Sequence, residues 1–108
     1  MADEKPEIPI SKLAEYISIT QGMVSIDDAL AELGMENKWA KEQFKAQYSI
    51  SILKFHKQCR LMRAKELLKI GEKRIGEIAT IVGYKNIYTF SEAYKIKYGH
   101  APSKDRKK

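Results

Sequence analysis

Four apolar residues, Ile75, Ile78, Ala79 and Val82, fall at i, i+3, i+4 and i+7 and are followed at once by Gly83. That spacing is one stripe of an amphipathic helix. Glycine just past a periodic run is the usual left-handed stop. A second helical run opens near Asn86, with Ile87, Phe90, Tyr94 and Tyr98 on its apolar side, and closes at Gly99 and Pro102. Two short helices hinged at a glycine, the second carrying Lys85, Asn86, Tyr88, Thr89 and Lys95 outward, read as a helix-turn-helix.

Size limits what can surround this unit. The 108 residues make one small domain, or two very small ones sharing a helix. The 44% apolar fraction suffices for a compact core. Each half alone would hold about 45 residues, near the size where a core becomes marginal. Some element must therefore join them. Charge divides the chain more sharply than its net +6 suggests. Residues 1–54 hold 6 Lys or Arg against 9 Asp or Glu, a balance of −3; residues 55–108 hold 14 against 5, a balance of +9. Such asymmetry suits a polyanion partner, most simply nucleic acid, or a plain solvated basic surface.

A single cysteine, Cys59, rules out an intramolecular disulfide and fits a reducing compartment. No apolar run approaches the roughly 20 residues of a membrane span. The opening Met-Ala-Asp-Glu-Lys-Pro is no secretory signal. A cytoplasmic chain is expected.

Residues 1–9, with Pro6 and Pro9 among charges, read as a frayed leader or linker remnant. Ile10, Leu13, Ala14 and Ile17 predict a first helix, with Ser11 as its cap and Thr20-Gln21-Gly22 as its end. Ser25 through Asp28 fits a capping box. Ile26, Ala29, Leu30 and Leu33 form the next buried stripe, broken at Gly34, with Met35 packed in the turn. A third helix is expected from about Glu36 to Gln47, with Trp39, Ala40 and Phe44 inward. Gly34 precedes Phe44-Lys45 by ten residues and Gly83 precedes Tyr94-Lys95 by eleven, an echo that duplication would leave.

The long helix expected over Ile50–Leu68 places Ile52, Phe55, Cys59 and Met62 on one side and Leu53, Leu61, Ala64, Leu67 and Leu68 roughly opposite. A helix with two apolar faces can wall two cores. The expected architecture is all-α, with about seven helices: a helix-turn-helix subdomain over 10–49, a linker helix over 50–70, and a second subdomain over 71–108 ending in a basic tail.

Ile75-Gly76-Glu77-Ile78-Ala79, Val82-Gly83-Tyr84, Phe90, Tyr94-Lys95, Tyr98-Gly99, Pro102-Ser103 and Arg106 closely resemble the C-terminal signature of AraC/XylS-type transcription regulators. Ser25, Ala29, Gly34-Met35, Trp39 and Phe44-Lys45 match the same family's first helix-turn-helix. Arg60-Leu61, Ala64 and Leu67-Leu68 match its linker helix. The resemblance implies double-stranded DNA as partner, with second helices in major grooves. If both readers face one side of a duplex, they span adjacent segments about 34 Å apart. Base contacts are then expected from Asn37, Lys38, Trp39, Lys41 and Glu42 in the first unit and from Ile87, Tyr88, Thr89 and Glu92 in the second. Lys45, Lys85, Asn86 and Lys95 become phosphate contacts. The resemblance also implies RNA polymerase as a partner and an effector-sensing or dimerisation domain outside these residues. No cofactor, metal or membrane is expected.

Several residues depart from the pattern. Glu42 and Glu92 stand where the family commonly carries Arg. They either accept from cytosine N4 or form surface pairs with Lys38 and Lys95. His56 replaces an aliphatic residue. With Cys59 it offers two metal ligands where a structural zinc site wants four, so a half-buried histidine with a local hydrogen-bond partner is expected instead. Lys57 and Arg60 could lower the Cys59 thiol pKa, but its place on the Phe55 face favours an inert core thiol. Met23, Met35 and Met62 read as core. Asp105 stands where an aromatic is usual and predicts a loose last turn. Lys104, Arg106, Lys107 and Lys108 form a phosphate-seeking or solvated tail. A protein-binding helical module is the alternative function. An enzyme is the weakest, with only His56 and His100 as histidines and no phosphate loop.

Overall fold

A computed structural model describes residues 8–107; the expected leader, save Ile8 and Pro9, and Lys108 lie outside the described residues. Among them are six helices and no strand: α1 Ile10–Ile19, α2 Ile26–Leu33, α3 Asn37–Tyr48, α4 Ile52–Ile70, α5 Ile75–Ile81 and α6 Ile87–Tyr98, followed by a 3-10 turn over Pro102–Lys104. The chain divides into two compact units between His56 and Lys57, inside α4. No helix among the described residues is long and apolar enough to cross a membrane.

In the first unit α1 packs on α2 and α3, and α2 on α3. Leu13, Ile17, Ala29, Leu30, Ala40 and Phe44 are buried. The Phe44 ring meets Tyr48 and Phe55 at centroid distances of 4.7 and 5.4 Å. Fully burying a large apolar side chain such as Leu13, Ile17 or Phe44 is worth about 1.5–3 kcal/mol. In the second unit Leu61, Ala64 and Leu68 of α4 form one wall against Ile78, Ala79, Val82, Tyr84, Phe90, Ala93 and Tyr94. So α4 gives Ile52 and Phe55 to the first unit and Leu61, Ala64 and Leu68 to the second.

The structure corrects several local expectations. Pro9, not Ser11, caps α1, because its extended backbone already turns the chain into the helix. Glu36 lies outside α3 as its cap. Leu53, Met62 and Met23 are exposed at 69%, 54% and 45%, whereas Met35 is buried in its turn. Periodicity marks the apolar residues of α4 without saying which have a partner. The hydrogen-bond partner of His56 is not local: its Nε2–H donates to the Val24 carbonyl, 2.8 Å away and 32 residues back. Cys59 is buried, and burial pushes its thiol pKa up, against a smaller downward pull from Lys97 rather than from Lys57 or Arg60.

The last turn is tied down, not loose. The Asp105 carboxylate accepts from Tyr94 Oη and from His100 Nε2, at 2.5 and 2.8 Å. Arg106 donates through Nε and Nη2 to the Lys73 carbonyl, and the Lys107 N–H donates to Leu68 O. An aspartate thus replaces by hydrogen bonds what an aromatic would supply by packing. Arg106 and Lys107 are fastened to the second unit rather than freely solvated.

Candidate nucleic-acid interface

Each unit ends one helix, turns, and starts another by the same device. In the first, Gly34 is left-handed (φ 67°), its N–H bonds Ala31 O, and the Met35 N–H reaches back to Leu30 O. In the second, Gly83 is left-handed (φ 91°), its N–H bonds Thr80 O, and the Tyr84 N–H reaches back to Ala79 O. Met35 and Tyr84 are both buried under their turns. The next helix follows with a side-chain cap. Glu36 accepts from the Lys38 and Trp39 amides at 3.0 and 2.8 Å. Asn86 accepts from the Thr89 amide at 2.9 Å.

Both helices run twelve residues and both end in a left-handed residue, Ser49 or Gly99. Their caps, residues 36 and 86, and their ends, residues 49 and 99, each stand fifty apart. Gly34 and Gly83 stand forty-nine apart, so the second turn holds one extra residue, Lys85.

This register sets which side chains look outward. With Ala40 and Phe44 buried in α3, Lys38, Glu42 and Lys45 lie on the opposite side. Asn37 and Lys41 are also exposed, and Trp39 is half-buried. With Phe90 and Tyr94 buried in α6, the equivalent outward residues are Tyr88, Glu92 and Lys95. Tyr88 is 81% exposed and Ile87 37%. Lys85 is exposed in the turn. Thr89 is exposed, but its hydroxyl donates to Asn86 Oδ1 at 3.1 Å. Asn86 Oδ1 is therefore occupied by the cap, leaving its amide N–H groups as donors.

The residues expected at a DNA surface thus gather on one helix and turn in each unit. Among the described residues, neither Lys38–Glu42 nor Glu92–Lys95 forms an ion pair; Lys38 instead acts on Glu36. The bonds from the Trp39 and Lys38 amides, with the Lys38 charge, hold the Glu36 carboxyl below its ordinary pKa. Sequence reasoning missed this cap by placing Glu36 inside the helix.

It also missed Arg60, whose guanidinium sits 5.0 Å above the Tyr84 ring and donates through Nη1 to Val82 O at 3.4 Å. A Cβ added to Gly83 would come within 2.9 Å of that nitrogen. Arg60 therefore braces the second turn from α4. A partner 22 residues away leaves no local signal.

These units compare closely with known proteins. A family model described as a helix-turn-helix domain matches residues 29–108. The Msm operon regulatory protein of Streptococcus mutans is 28% identical, over 94% of this chain and 42% of its own length. The raffinose operon transcriptional regulatory protein RafR of Pediococcus pentosaceus is 34% identical, over 77% of this chain and 30% of its own. The chain spans less than half the length of these curated relatives. A solved transcriptional regulator of Chromobacterium violaceum, one of the AraC-type DNA-binding domain-containing proteins, superposes with a TM-score of 0.78 at 26% identity, covering 89% of each chain.

Proposed function

We propose, since this chain belongs to the AraC-type helix-turn-helix family, that it binds duplex DNA at a specific sequence and thereby regulates transcription. The helices α3 and α6 enter adjacent major-groove segments. One observation carries the reading: the same turn, cap and outward register occur twice, and each presents a solvent-facing helix at the position where a recognition helix reads base edges. Asn37, Lys38, Trp39, Lys41 and Glu42 read bases in the first unit, and Ile87, Tyr88, Thr89 and Glu92 in the second. Lys45, Lys85, Asn86 and Lys95 set register on phosphates.

The chain acts in the cytoplasm without chemistry of its own. RNA polymerase is a further partner, and an effector-sensing or dimerisation domain accompanies the module in the working regulator. The relatives, more than twice as long as the segment matched, support that last point.

Selection of bound duplexes from a random pool tests the whole reading. An asymmetric site spanning two groove segments is the expected product. About six to eight phosphate contacts give a slope of log K on log salt near −5 to −7. A pool without enrichment and a shallow salt response would instead fit a protein-binding helical module.

A further inference from the structure

The two units present the same backbone to DNA with opposite charge. From Ser25 to Ser49 the first holds Lys38, Lys41 and Lys45 against Asp27, Asp28, Glu32, Glu36 and Glu42, a balance of −2. From Arg74 to Gly99 the second holds Arg74, Lys85, Lys95 and Lys97 against Glu77 and Glu92, a balance of +2. The contrast falls where phosphates pass. In a helix-turn-helix the first helix crosses the backbone and the second enters the groove by its N-terminus. Asp27 and Asp28 stand exposed in the first turn of α2, where α5 has Gly76 and Glu77. Glu36 covers the start of α3 and neutralises the partial positive charge of its free amides. At the matching place α6 has the neutral Asn86, preceded by the extra cation Lys85.

We infer that the two readers divide their work. The second unit supplies most of the phosphate grip, while Asp27 and Glu36 hold the first to a weak engagement that depends on base sequence. This rests on the DNA-binding reading. Glu42 and Glu92 occupy matching positions, as do Asp28 and Glu77, and these pairs cancel from the comparison. The difference arises from the turns, the caps and the first helices. Electrostatic attraction to phosphates is sequence-independent. A reader deprived of it contributes only where its base contacts are right, so the first unit sharpens discrimination while adding little affinity on mixed sequence.

The test uses the whole chain and a mixed-sequence duplex several helical turns long, titrated across a range of salt. Lys85→Ala with Lys95→Ala should flatten the slope of log K on log salt by about 2. Lys38→Ala with Lys45→Ala should flatten it by less than about 1. Asp27→Asn and Glu36→Asn together, the second keeping a side-chain oxygen at the α3 cap, should raise affinity roughly fivefold at low salt and less at high salt. Thermal melts check that each variant folds, and the two lysine pairs decide the matter even if the double acidic variant does not.

Equal flattening from the two pairs, or a larger loss from the first, would overturn the division and leave the DNA-binding reading standing. Unchanged affinity in a folded Asp27→Asn, Glu36→Asn variant would also overturn it. No salt-dependent binding by the parent chain would remove both.

Discussion

In the first unit the turn between α2 and α3 has nothing within 4 Å of the place where a Gly34 Cβ would go. In the second, the same turn carries one more residue and is braced by Arg60, which reaches Val82 O and stacks on Tyr84. Identical backbone hydrogen bonds thus sit in unequal surroundings. The comparison teaches that a turn's conformation and its rigidity have different sources. Glycine provides the first in both units; a side chain from α4 adds the second in one.

Alanine at the two glycines should separate these contributions. Gly34→Ala imposes a left-handed alanine in open space and should cost about 1 kcal/mol. Gly83→Ala imposes the same strain and also displaces Arg60, so about 2–3 kcal/mol is expected. Arg60→Met alone should cost about 1–2 kcal/mol but little in the Gly83→Ala background, since the two share one interaction. Denaturant melts give the costs, and amide exchange in α5 and α6 locates the loss. Equal costs at the two glycines would mean that Arg60 steps aside freely and braces nothing.

Alkali should also treat the units differently. Burial, foremost, raises the phenol pKa of Tyr84, Tyr94 and Tyr98, with the Asp105 carboxylate adding to the effect at Tyr94 and Tyr98. All three lie in the second unit. Their folded values stand above the ordinary 10.0. Above that pH the unfolded chain loses phenolic protons first, so the second unit's stability falls as pH rises.

At the acid end Asp105 is lowered from its ordinary 3.8, chiefly by the bonds from Tyr94 and His100. Its contribution is present above that value and fades as pH falls below it. Glu36 gives the first unit a similar acid limb. The alkaline limb should therefore belong to the second unit. The single tryptophan, Trp39, reports the first unit by fluorescence, and exchange of α6 amides reports the second. Simultaneous loss of both signals in alkali would break the contrast. Asp105→Asn should remove the second unit's acid limb.

Much of this architecture was legible because it is local. Helix stripes, the stops at Gly34 and Gly83, the repeat between the units and the outward faces of α3 and α6 all follow from spacings of a few residues. The missed features depend on residues far apart or on whether a neighbour exists. The apolar positions of α4 included Leu53 and Met62, which have no core to enter. Arg60 on Val82 and His56 on Val24 join positions 22 and 32 residues apart. Asp105 reads in the sequence as a packing defect because its partner Tyr94 lies eleven residues away, beyond the reach of local spacing. Glu36 was a boundary error of one residue, and it moved a carboxylate from a helix flank to a cap.

The smallest expected effect lies where α3 and α6 stop. Their last amides behave alike: the Ser49 N–H bonds Lys45 O at 2.9 Å and the Gly99 N–H bonds Lys95 O at 2.7 Å. Both residues are left-handed, at φ 65° and 81°, but only one is glycine. Serine there carries a Cβ strain of order 1 kcal/mol. Glycine would relieve it while loosening the unfolded chain. Ser49→Gly should therefore stabilise the first unit by about 0.5 kcal/mol. Gly99→Ala meets no neighbour within 4 Å and should destabilise the second by about the same amount or slightly more. Opposite signs of similar size would show that the two helix ends differ in residue and not in surroundings. A destabilised Ser49→Gly variant would show instead that the serine side chain stabilises its helix end, and the fifty-residue correspondence would then hold for the backbone alone.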